Sequence, residues 1–368
     1  MRVLYDHHAF SLQDVGGITR YFSELLDHAA PAVQCQLPLV LSNNLYLRDR
    51  RHTSHLAIRP QWLAEKAWRA SSQINQWAAG RALRRGDFDV FHPTLNDTDY
   101  FLPLLVGRPY VVTVHDLIPF LYPQYYANAA REVATRVISQ ATRIIAVSEN
   151  TRADLLRLLP VVPERVHVVP HGRTAVAPAS TALPVPEHYL LYTGTRHYYK
   201  NFSCLLTALA SLRPRHPRLH LVCAGGGPFT ADEQQRLLEL GLADRVRQLG
   251  PVSDQQLARL YHDALAFVFP SHYEGFGLPI LEAFAQGCPV VLSQASCFPE
   301  VAREAALYFD PHRPDELAAQ LDRLVADAEL RQHLRRAGEL RSQDFTWRHT
   351  AALTHRVYQA AREVSVFA

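Results

Sequence analysis

The sequence predicts an α/β protein built from two doubly wound domains, each a parallel sheet covered by helices. Three observations support this prediction. The chain has 368 residues, which is long for a single core. Short buried runs typical of strands alternate with helical segments, a pattern that favours parallel sheets. The alternation stops at a stretch rich in Pro, Ala, Ser and Thr and then begins again, so we expect two domains that face a central cleft.

The first predicted domain, residues 1–172, opens with the strand "RVLYD", and a glycine turn then leads into the helix "GGITRYFSELLDHAA". Helices such as "YYANAAREVATRVISQA" alternate with further predicted strands, which are "DVFHP", "YVVTVHD", "RIIAVSE" and "RVHVVPHG". Functional groups of such sheets gather at the carboxyl ends of strands. The residues expected at those ends are Gly16, Gly17, His92, His115, Asp116 and Ser148.

Residues 173–188 are the predicted linker, because they contain prolines and no apolar period. A second doubly wound domain is predicted over 189–344, and the tail 345–368 reads as a closing helix that could pack back on the first domain. The predicted strands of the second domain are "YLLYTGT", "LHLVCAGGG", "VRQLGPV", "ALAFVFPS", "CPVVLS" and "ALYFD".

Composition excludes several classes of protein. A net charge of +3 gives no basic stripe for nucleic acid. The five cysteines form no C-x-x-C pair and the histidines no H-E-x-x-H motif, which argues against a disulfide framework or a zinc site. No apolar run approaches the roughly 20 residues that span a bilayer, and the first ten residues lack a signal region. We therefore expect a cytoplasmic protein.

The stretch "SHYEGFGLPILEAFAQGCPVV", residues 271–291, carries the most chemical information. Gly275 and Gly277 let a ligand approach the backbone closely, and Pro279 suits the first turn of a helix, whose free N–H groups attract anions. Glu274 precedes that helix and Glu282 lies about one turn inside it. Carboxylates accept hydrogen bonds from pairs of hydroxyl groups. A ligand that carries a sugar, a diphosphate and a ribose in that order would place hydroxyl groups at the two glutamates and its anion between them.

Two further turns could contact the same ligand. In "TGTRHYYKNF", Arg196 and Lys200 follow a strand and could neutralise a diphosphate leaving group. In the first domain, Gly16 and Gly17 form a second glycine turn, and His115 ends a strand. Solvated surface cations, an ordinary strand-to-helix turn and a core histidine are the alternatives that the residues leave open.

Two other patterns have structural explanations. The triplets Asp87-Phe-Asp89 and Asp97-Thr-Asp99 could hold a metal and a nucleotide, but the first precedes a strand rather than ending one; we expect no metal. The segment 59–85 carries six cations, one acid and three tryptophans. Such helices can lie on anionic membranes, and a partly buried surface helix is the alternative.

Taken together, these stretches resemble the retaining glycosyltransferases of family 4, which have two Rossmann-like domains in the GT-B arrangement. "EGFGLPILE" resembles the E-x7-E signature of that family, and "GTRHYYKNF" resembles its diphosphate-binding segment. "LGPVSDQQLARLY", which contains Val252, resembles the loop that contacts the base, and "FPEVAREAALYFDP" resembles the segment after the signature. "GGITRYFSELL" and "VVTVHDLIPFLYP" are similar to motifs of bacterial mannosyl- and rhamnosyltransferase-like members. Many members carry Arg directly before the Lys, where this chain has Tyr199.

The resemblance implies a role for each matching residue. Glu282 would bind the ribose, and Glu274 the donor sugar. The backbone N–H groups of Gly275, Phe276, Gly277 and Leu278 would bind sugar hydroxyls and phosphate. Arg196 and Lys200 would neutralise the diphosphate, Gly16 and Gly17 would approach it, and His115 would contact the sugar.

The expected activity is sugar transfer, with retention and without a metal or cofactor, from a nucleoside diphosphate sugar to an acceptor hydroxyl. The donor expected from the resemblance is GDP-mannose, and the acceptor a glycan or lipid-linked saccharide. A nucleotide-sugar epimerase, a phosphorylase of the same architecture and an inactive sugar-nucleotide-binding module are the alternatives. A phosphorylase would normally carry a pyridoxal-phosphate lysine, and donor turnover would exclude the inactive module.

Overall fold

The structure, a computed structural model, describes residues 1–48, 55–57, 61–181 and 183–366, without the side chains of 61–68 and 365–366. The chain divides into two compact units. The first unit comprises Met1–Gly172 and Trp347–Ala368, and the second comprises Arg173–Thr346. Within the described residues, no helix has both the length and the apolar character needed to cross a membrane.

The described strands of the first unit are β1 (Arg2–Tyr5), β2 (Gln34–Gln36), β3 (Val90–His92), β4 (Val111–Val114), β5 (Arg143–Ala146) and β6 (Val166–Val168). They pair in parallel as two sheets, β2-β1-β3 and β4-β5-β6. A parallel bridge from Phe91 to Tyr110 joins β3 to the residue before β4. The strands carry apolar side chains into one core, including Leu4, Val112 and Ile144, as their apolar runs predict.

The helices of this unit's longer segment are α1 (His8–Leu12), α2 (Gly17–Asp27), α3 (Gln61–Arg85), α4 (Leu102–Leu105), α5 (Ile118–Leu121), α6 (Asn128–Gln140) and α7 (Glu149–Leu158). Ser148 caps α7, because its hydroxyl accepts a hydrogen bond from the Thr151 N–H. Ser148 therefore has a structural role at its strand end.

The second unit contains one parallel six-stranded sheet in the order β12-β11-β10-β7-β8-β9. Its strands are β7 (Tyr189–Thr193), β8 (His220–Ala224), β9 (Val246–Gln248), β10 (Ala266–Phe269), β11 (Val290–Ser293) and β12 (Ala306–Phe309). These are the six strands predicted from the sequence. From β7, the strands β8 and β9 extend to one side and β10, β11 and β12 extend to the other, which is the doubly wound dinucleotide-binding order.

The helices of the second unit are α8 (Phe202–Leu212), α9 (Ala231–Glu239), α10 (Asp254–Asp263), α11 (Leu278–Ala285), α12 (Phe298–Ala302), α13 (Pro314–Ala326) and α14 (Ala328–Ser342). Thr230 and Glu233 form a capping box at the start of α9, and Ser253 and Gln256 form another at α10. Each N-cap of this kind contributes about 1 kcal/mol. These caps fix where the two helices start.

The last helix, α15 (Trp347–Val366), packs on α2 and on β3, β4 and β5 of the first unit. The Tyr358 hydroxyl lies 2.9 Å from the Tyr5 hydroxyl and 2.7 Å from Nδ1 of His92. The tail of the chain therefore contributes part of the first unit's core. Linker residues 173–181 and 183–188 contain no named helix or strand.

Candidate active site

The switch point of the second unit's sheet lies between β7 and β10, which are hydrogen-bonded neighbours. Winding reverses there, and the crevice outside the carboxyl ends of the strands at such a point is where doubly wound sheets bind ligands. Lys200 lies in the connection after β7, and Glu274 lies in the loop after β10. The two predicted residues that the chain separates by 74 positions are thereby brought together.

Lys200 and Glu274 form an ion pair with Nζ 2.7 Å from Oε1, and both side chains are more than four-fifths buried. The Lys200 ammonium also lies 5.2 Å from the Tyr199 ring centroid and 5.3 Å from that of Phe269. An ammonium has three donors, and only the one to Glu274 has a partner among the described residues. The remaining donors can bind an anion.

The Glu274 carboxylate has a fixed orientation. Ser271, which is fully buried, donates its hydroxyl to the same Oε1 at 2.7 Å. The Glu274 N–H donates to Ser296 Oγ at 3.2 Å, and its carbonyl accepts from that hydroxyl at 2.5 Å and from Cys297 Sγ at 3.2 Å. Oε1 therefore has two donors, while Oε2 has no partner among the described residues. A ligand hydroxyl can bind Oε2 without displacing Lys200 or Ser271.

The turn after Glu274 leads directly into α11, and the predicted contacts of its backbone N–H groups with a ligand stay predictions. Gly277 is the N-cap of α11 with φ of 93°, a conformation that only glycine adopts easily. A Cβ at Gly277 would lie 2.9 Å from Ile280 Cδ1, so a larger residue would also be crowded. Phe276 is buried and meets Phe345 edge-on, with centroids 5.7 Å apart. Phe276 thus anchors the turn through its side chain, while α11 starts at Leu278 with the positive end of its dipole outward.

Glu282 lies on α11 and is bound at Oε2 by the Tyr261 hydroxyl at 3.3 Å. That hydroxyl also lies 3.4 Å from Thr193 Oγ1, at the end of β7. Burial, reinforced by the Glu282 carboxylate, holds the pKa of Tyr261 well above its ordinary value. The Tyr261 phenol therefore remains a hydrogen-bond donor. It connects α11 to the carboxyl end of β7, where Thr193 lies.

Arg196 has partners of its own, away from the Lys200–Glu274 pair. Its side chain is only 3% exposed; Nε lies 2.8 Å from Glu233 Oε1 and Nη2 donates to the Pro228 carbonyl at 2.8 Å. The guanidinium also lies 4.8 Å from the Phe229 ring centroid. In this arrangement Glu233 balances the charge of Arg196, while Nη1 is buried and has no hydrogen-bond partner among the described residues. Its predicted diphosphate contact stays a prediction.

The loop after β9 contains Val252, which is half-buried between β9 and α10. The loop after β8, "AGGGP", has three consecutive glycines with positive φ between 74° and 77°. A Cβ on Gly226 would lie 2.3 Å from the Gly194 carbonyl oxygen. This loop therefore packs directly on the end of β7.

In the first unit, Gly16 caps α2 and Gly17 is its first residue. His115 follows β4; its ring stacks on His171 with centroids 5.5 Å apart and meets Tyr21 edge-on at 5.0 Å. Burial lowers the pKa of His115 to about 3, so the imidazole is neutral near pH 7. The predicted ligand contacts of Gly16, Gly17 and His115 stay predictions.

The Asp-x-Asp triplets make other contacts. Asp87 pairs with Arg85 at 3.2 Å, Asp89 accepts the Arg2 N–H at 2.6 Å, and Asp97 lies 3.4 Å from Nε2 of His8. Asp99 pairs with Arg136. Across the part of the chain that the structure describes, no three His, Cys, Asp or Glu side chains are grouped as a metal site would require.

Sequence reasoning missed Ser271, Ser296 and Tyr261. Ser271 was detectable, because it follows a predicted strand three positions before Glu274. Ser296 and Tyr261 were not, because each lies about 21 or 22 residues from its glutamate and reaches it only through the packing of neighbouring strands and helices.

Two sequence-family models match the chain. The family described as "Glycosyltransferase Family 4" matches residues 15–174, and "Glycosyl transferases group 1" matches 175–341. The O-antigen chain mannosyltransferase B of Escherichia coli is 31% identical, over 93% of this chain and 92% of that protein. An MMP alpha-(1->4)-mannosyltransferase of Mycolicibacterium hassiacum is 33% identical, over 76% of this chain and 72% of that protein.

Solved structures show the same fold at lower identity. Sucrose-phosphate synthase from Thermosynechococcus elongatus superposes with a TM-score of 0.75 at 21% identity, covering 100% of this chain and 99% of that one. Anabaena HepE in complex with UDP-glucose gives a TM-score of 0.73 at 18% identity, with 98% of each chain covered. With both family models matched and a relative aligned along nearly its whole length, the chain belongs to glycosyltransferase family 4 and has the GT-B fold.

Proposed function

We propose that this glycosyltransferase transfers mannose from GDP-mannose to the hydroxyl of a glycan or lipid-linked saccharide, with retention and without a metal. The observation that carries the proposal is the Lys200–Glu274 pair at the switch point, with Glu274 Oε2 open and further Lys200 donors available. Two of the relatives described above are mannosyltransferases, which supports mannose as the transferred sugar.

The proposed chemistry uses groups of this chain. Lys200 and the start of α11 stabilise the negative charge that develops on the diphosphate as its bond to the anomeric carbon breaks. Glu274 Oε2 binds a sugar hydroxyl and stabilises the positive charge developing on the sugar ring. The acceptor oxygen bonds to the anomeric carbon on the face that the diphosphate leaves. The acceptor proton passes to the departing phosphate oxygen, so configuration is retained without a protein nucleophile.

Thermal-shift screening against GDP-, UDP-, dTDP- and ADP-sugars tests the donor. A ligand at 100 times its Kd stabilises the native state by about 2.7 kcal/mol, so the true donor should stand out. Turnover is then followed with EDTA present, and NMR gives the anomeric configuration of the product. Inversion, or a complete loss of activity with EDTA that Mg²⁺ or Mn²⁺ restores, would contradict the proposed chemistry. Conversion of the donor without acceptor into its epimer would favour the epimerase.

We also propose peripheral contact with anionic membranes through one face of α3. Trp77 is 62% and Ile74 42% exposed, and the Arg81 guanidinium lies 5.7 Å from the Trp77 ring centroid. Residues 69–85 contain four arginines and no acid, which suits anionic headgroups. The side chains of Trp62 and Trp68, also in the predicted segment 59–85, lie outside the described residues. Flotation with anionic vesicles at low salt should show binding, and its absence would leave an ordinary surface helix.

A further inference from the structure

The second unit has a basic cavity at the edge of its sheet opposite the active site. The cavity has a volume of about 320 Å³ and lies beside His188, Leu219 and Leu265, the residues that immediately precede β7, β8 and β10. Lys200 and Glu274 follow the other ends of β7 and β10. A five-residue strand separates the two edges by about 16 Å, so the cavity is distinct from the candidate active site.

The charged side chains that line the cavity are positive. Among the residues that the structure describes, Arg215, Arg218 and Arg331 line it, and no Asp or Glu does. Asp322, outside the lining, pairs with Arg215 and accepts from His216 Nε2 at 2.7 Å. Three guanidinium charges against one carboxylate leave a surplus of two positive charges. Among the described residues, the Arg218 side chain has no ion pair or hydrogen bond.

Parts of the cavity are held rigidly. Arg331 donates through Nη1 to the carbonyls of Leu324 and Val325 at 2.7 and 2.8 Å, at the end of α13. This fixes the guanidinium at the cavity and leaves its other nitrogens available. Leu219 and Leu265 give the cavity an apolar floor. Small-molecule sites combine apolar lining with a few precisely placed polar groups, and Leu219 and Leu265 beside the fixed Arg331 guanidinium match this description.

We propose that this cavity binds a small phosphorylated molecule. A phosphate monoester carries between one and two negative charges near pH 7, which matches the surplus, and guanidinium groups bind phosphate oxygens in pairs. The volume is at the lower end of the roughly 300–1,000 Å³ typical of ligand pockets. The ligand is therefore of the size of a phosphorylated monosaccharide. The proposal does not depend on the donor or mechanism proposed above.

Phenylglyoxal footprinting of the full-length protein, read by peptide mass spectrometry, tests the site residue by residue. Ribose 5-phosphate at ten times its Kd should slow modification of Arg218 and Arg331 about tenfold, because only the unbound fraction reacts. Arg213, exposed and outside the lining, is the control and should react at an unchanged rate. The Lys200→Ala variant should show the same protection, which separates this site from the diphosphate site.

Three results would overturn the proposal. The first is no protection of Arg218 by ribose 5-phosphate or inorganic phosphate at about 10 mM, where even weak sites of 1 mM Kd are mostly filled. The second is an equal decrease in the modification rate of Arg213, which would indicate that the added phosphate slows the reaction of all arginines. The third is protection by phosphatidic acid vesicles alone, which would assign the cations to a membrane surface. Calorimetry on Arg218→Gln, an exposed position, should show the loss of phosphate binding with the fold intact.

Discussion

Lys200 Nζ and Ser271 Oγ both bind Oε1 of Glu274, each at 2.7 Å, so a single carboxylate oxygen holds a cation and a hydroxyl while the other oxygen stays open. The charge of Lys200 is thus already balanced before any ligand arrives. A diphosphate at Lys200 and a sugar hydroxyl at Oε2 would extend this network rather than replace it.

Replacing Glu274 and replacing Glu282 should have different effects on kinetics and nucleotide binding. If Glu282 binds the ribose, its contact is equal in ground and transition states, so Glu282→Ala should chiefly raise the donor KM and weaken nucleoside diphosphate binding. Glu274 would stabilise charge that develops in the transition state, so Glu274→Ala should lower kcat with little change in nucleoside diphosphate affinity. Calorimetry combined with steady-state kinetics measures both. Equal loss of nucleotide affinity in the two variants would show that the division of roles is wrong.

Ser271→Ala should lower kcat by roughly 10- to 100-fold, because a hydrogen bond to a charged group contributes about 1.5–3 kcal/mol and its loss lets Glu274 rotate. Nucleoside diphosphate affinity should stay near that of the wild type. Ser211→Ala is the matched control, since the Ser211 hydroxyl bonds only to the Ala208 carbonyl within α8. Unchanged kcat in folded Ser271→Ala would mean that Lys200 alone orients the carboxylate.

Replacing Lys200 should mainly reduce turnover, whereas replacing Arg196 should mainly reduce the stability of the second unit. Lys200→Ala should reduce turnover by roughly 10²–10³, the scale of one electrostatic transition-state contact, and the protein should still fold because the Ser271 hydroxyl continues to bind Glu274. Arg196→Ala leaves the Glu233 carboxylate without its cation, with only the Thr230 N–H still bound to it among the described residues, and should lower the stability of the second unit by about 3 kcal/mol. Kinetics and thermal unfolding of both variants provide the comparison. If Arg196→Ala keeps its stability and loses turnover, the guanidinium acts on the diphosphate after all.

As the pH is lowered, the first unit should begin to lose stability at a higher pH than the second unit. His92 is fully buried between Tyr358 and Thr113, and burial lowers its pKa from 6.5 to about 3, with His115 adding to the shift. A histidine with a depressed pKa gives stability that is fully present above pH 6.5 and lost as the pH falls towards 3, because the unfolded chain binds the proton first.

The four tryptophans, Trp62, Trp68, Trp77 and Trp347, all belong to the first unit, so their fluorescence reports its unfolding separately. The tryptophan-detected Tm should fall steadily between pH 7 and pH 4.5. His92→Gln should be less stable at pH 7 and show a shallower slope. An unchanged tryptophan-detected Tm across this range would contradict the buried, neutral state of His92.

Gly338→Ala should destabilise the second unit although Ala is the better helix former. Its Cβ would lie 2.4 Å from the ring of Phe284, which is fully buried on α11. Overpacking of this kind costs about 1–3 kcal/mol and should outweigh the ~1 kcal/mol gained in helix propensity. Gly80→Ala on α3 is the control, because its Cβ would meet no atom closer than 3.6 Å, and it should be neutral or stabilising in thermal unfolding.

The sequence predicted much of the second unit because strong apolar runs and caps coincide there, as in "ALAFVFPS" before Ser271. It did not predict β2, in which two glutamines flank Cys35. This strand is placed by pairing with β1, and the Gln34 N–H donates to the Met1 carbonyl. The pairing of Lys200 with Glu274 follows from β7 and β10 being neighbours, which chain order does not reveal. The partner of Arg196 was missed for the same reason, because Glu233 lies 37 residues away.

The second unit is an insertion within the first. The two ends of the second unit are adjacent, because Arg173 and Thr346 form a parallel β-bridge. The Arg173 N–H donates to the Phe345 carbonyl at 3.0 Å. During synthesis, the first unit therefore lacks α15, and with it the Tyr358 hydroxyl that binds His92, until the end of the chain emerges. The second unit, translated without interruption, can complete its core earlier. We therefore expect the second unit to complete its core before the first, and a premature stop near residue 346 to remove α15 from the first unit while leaving the second unit whole.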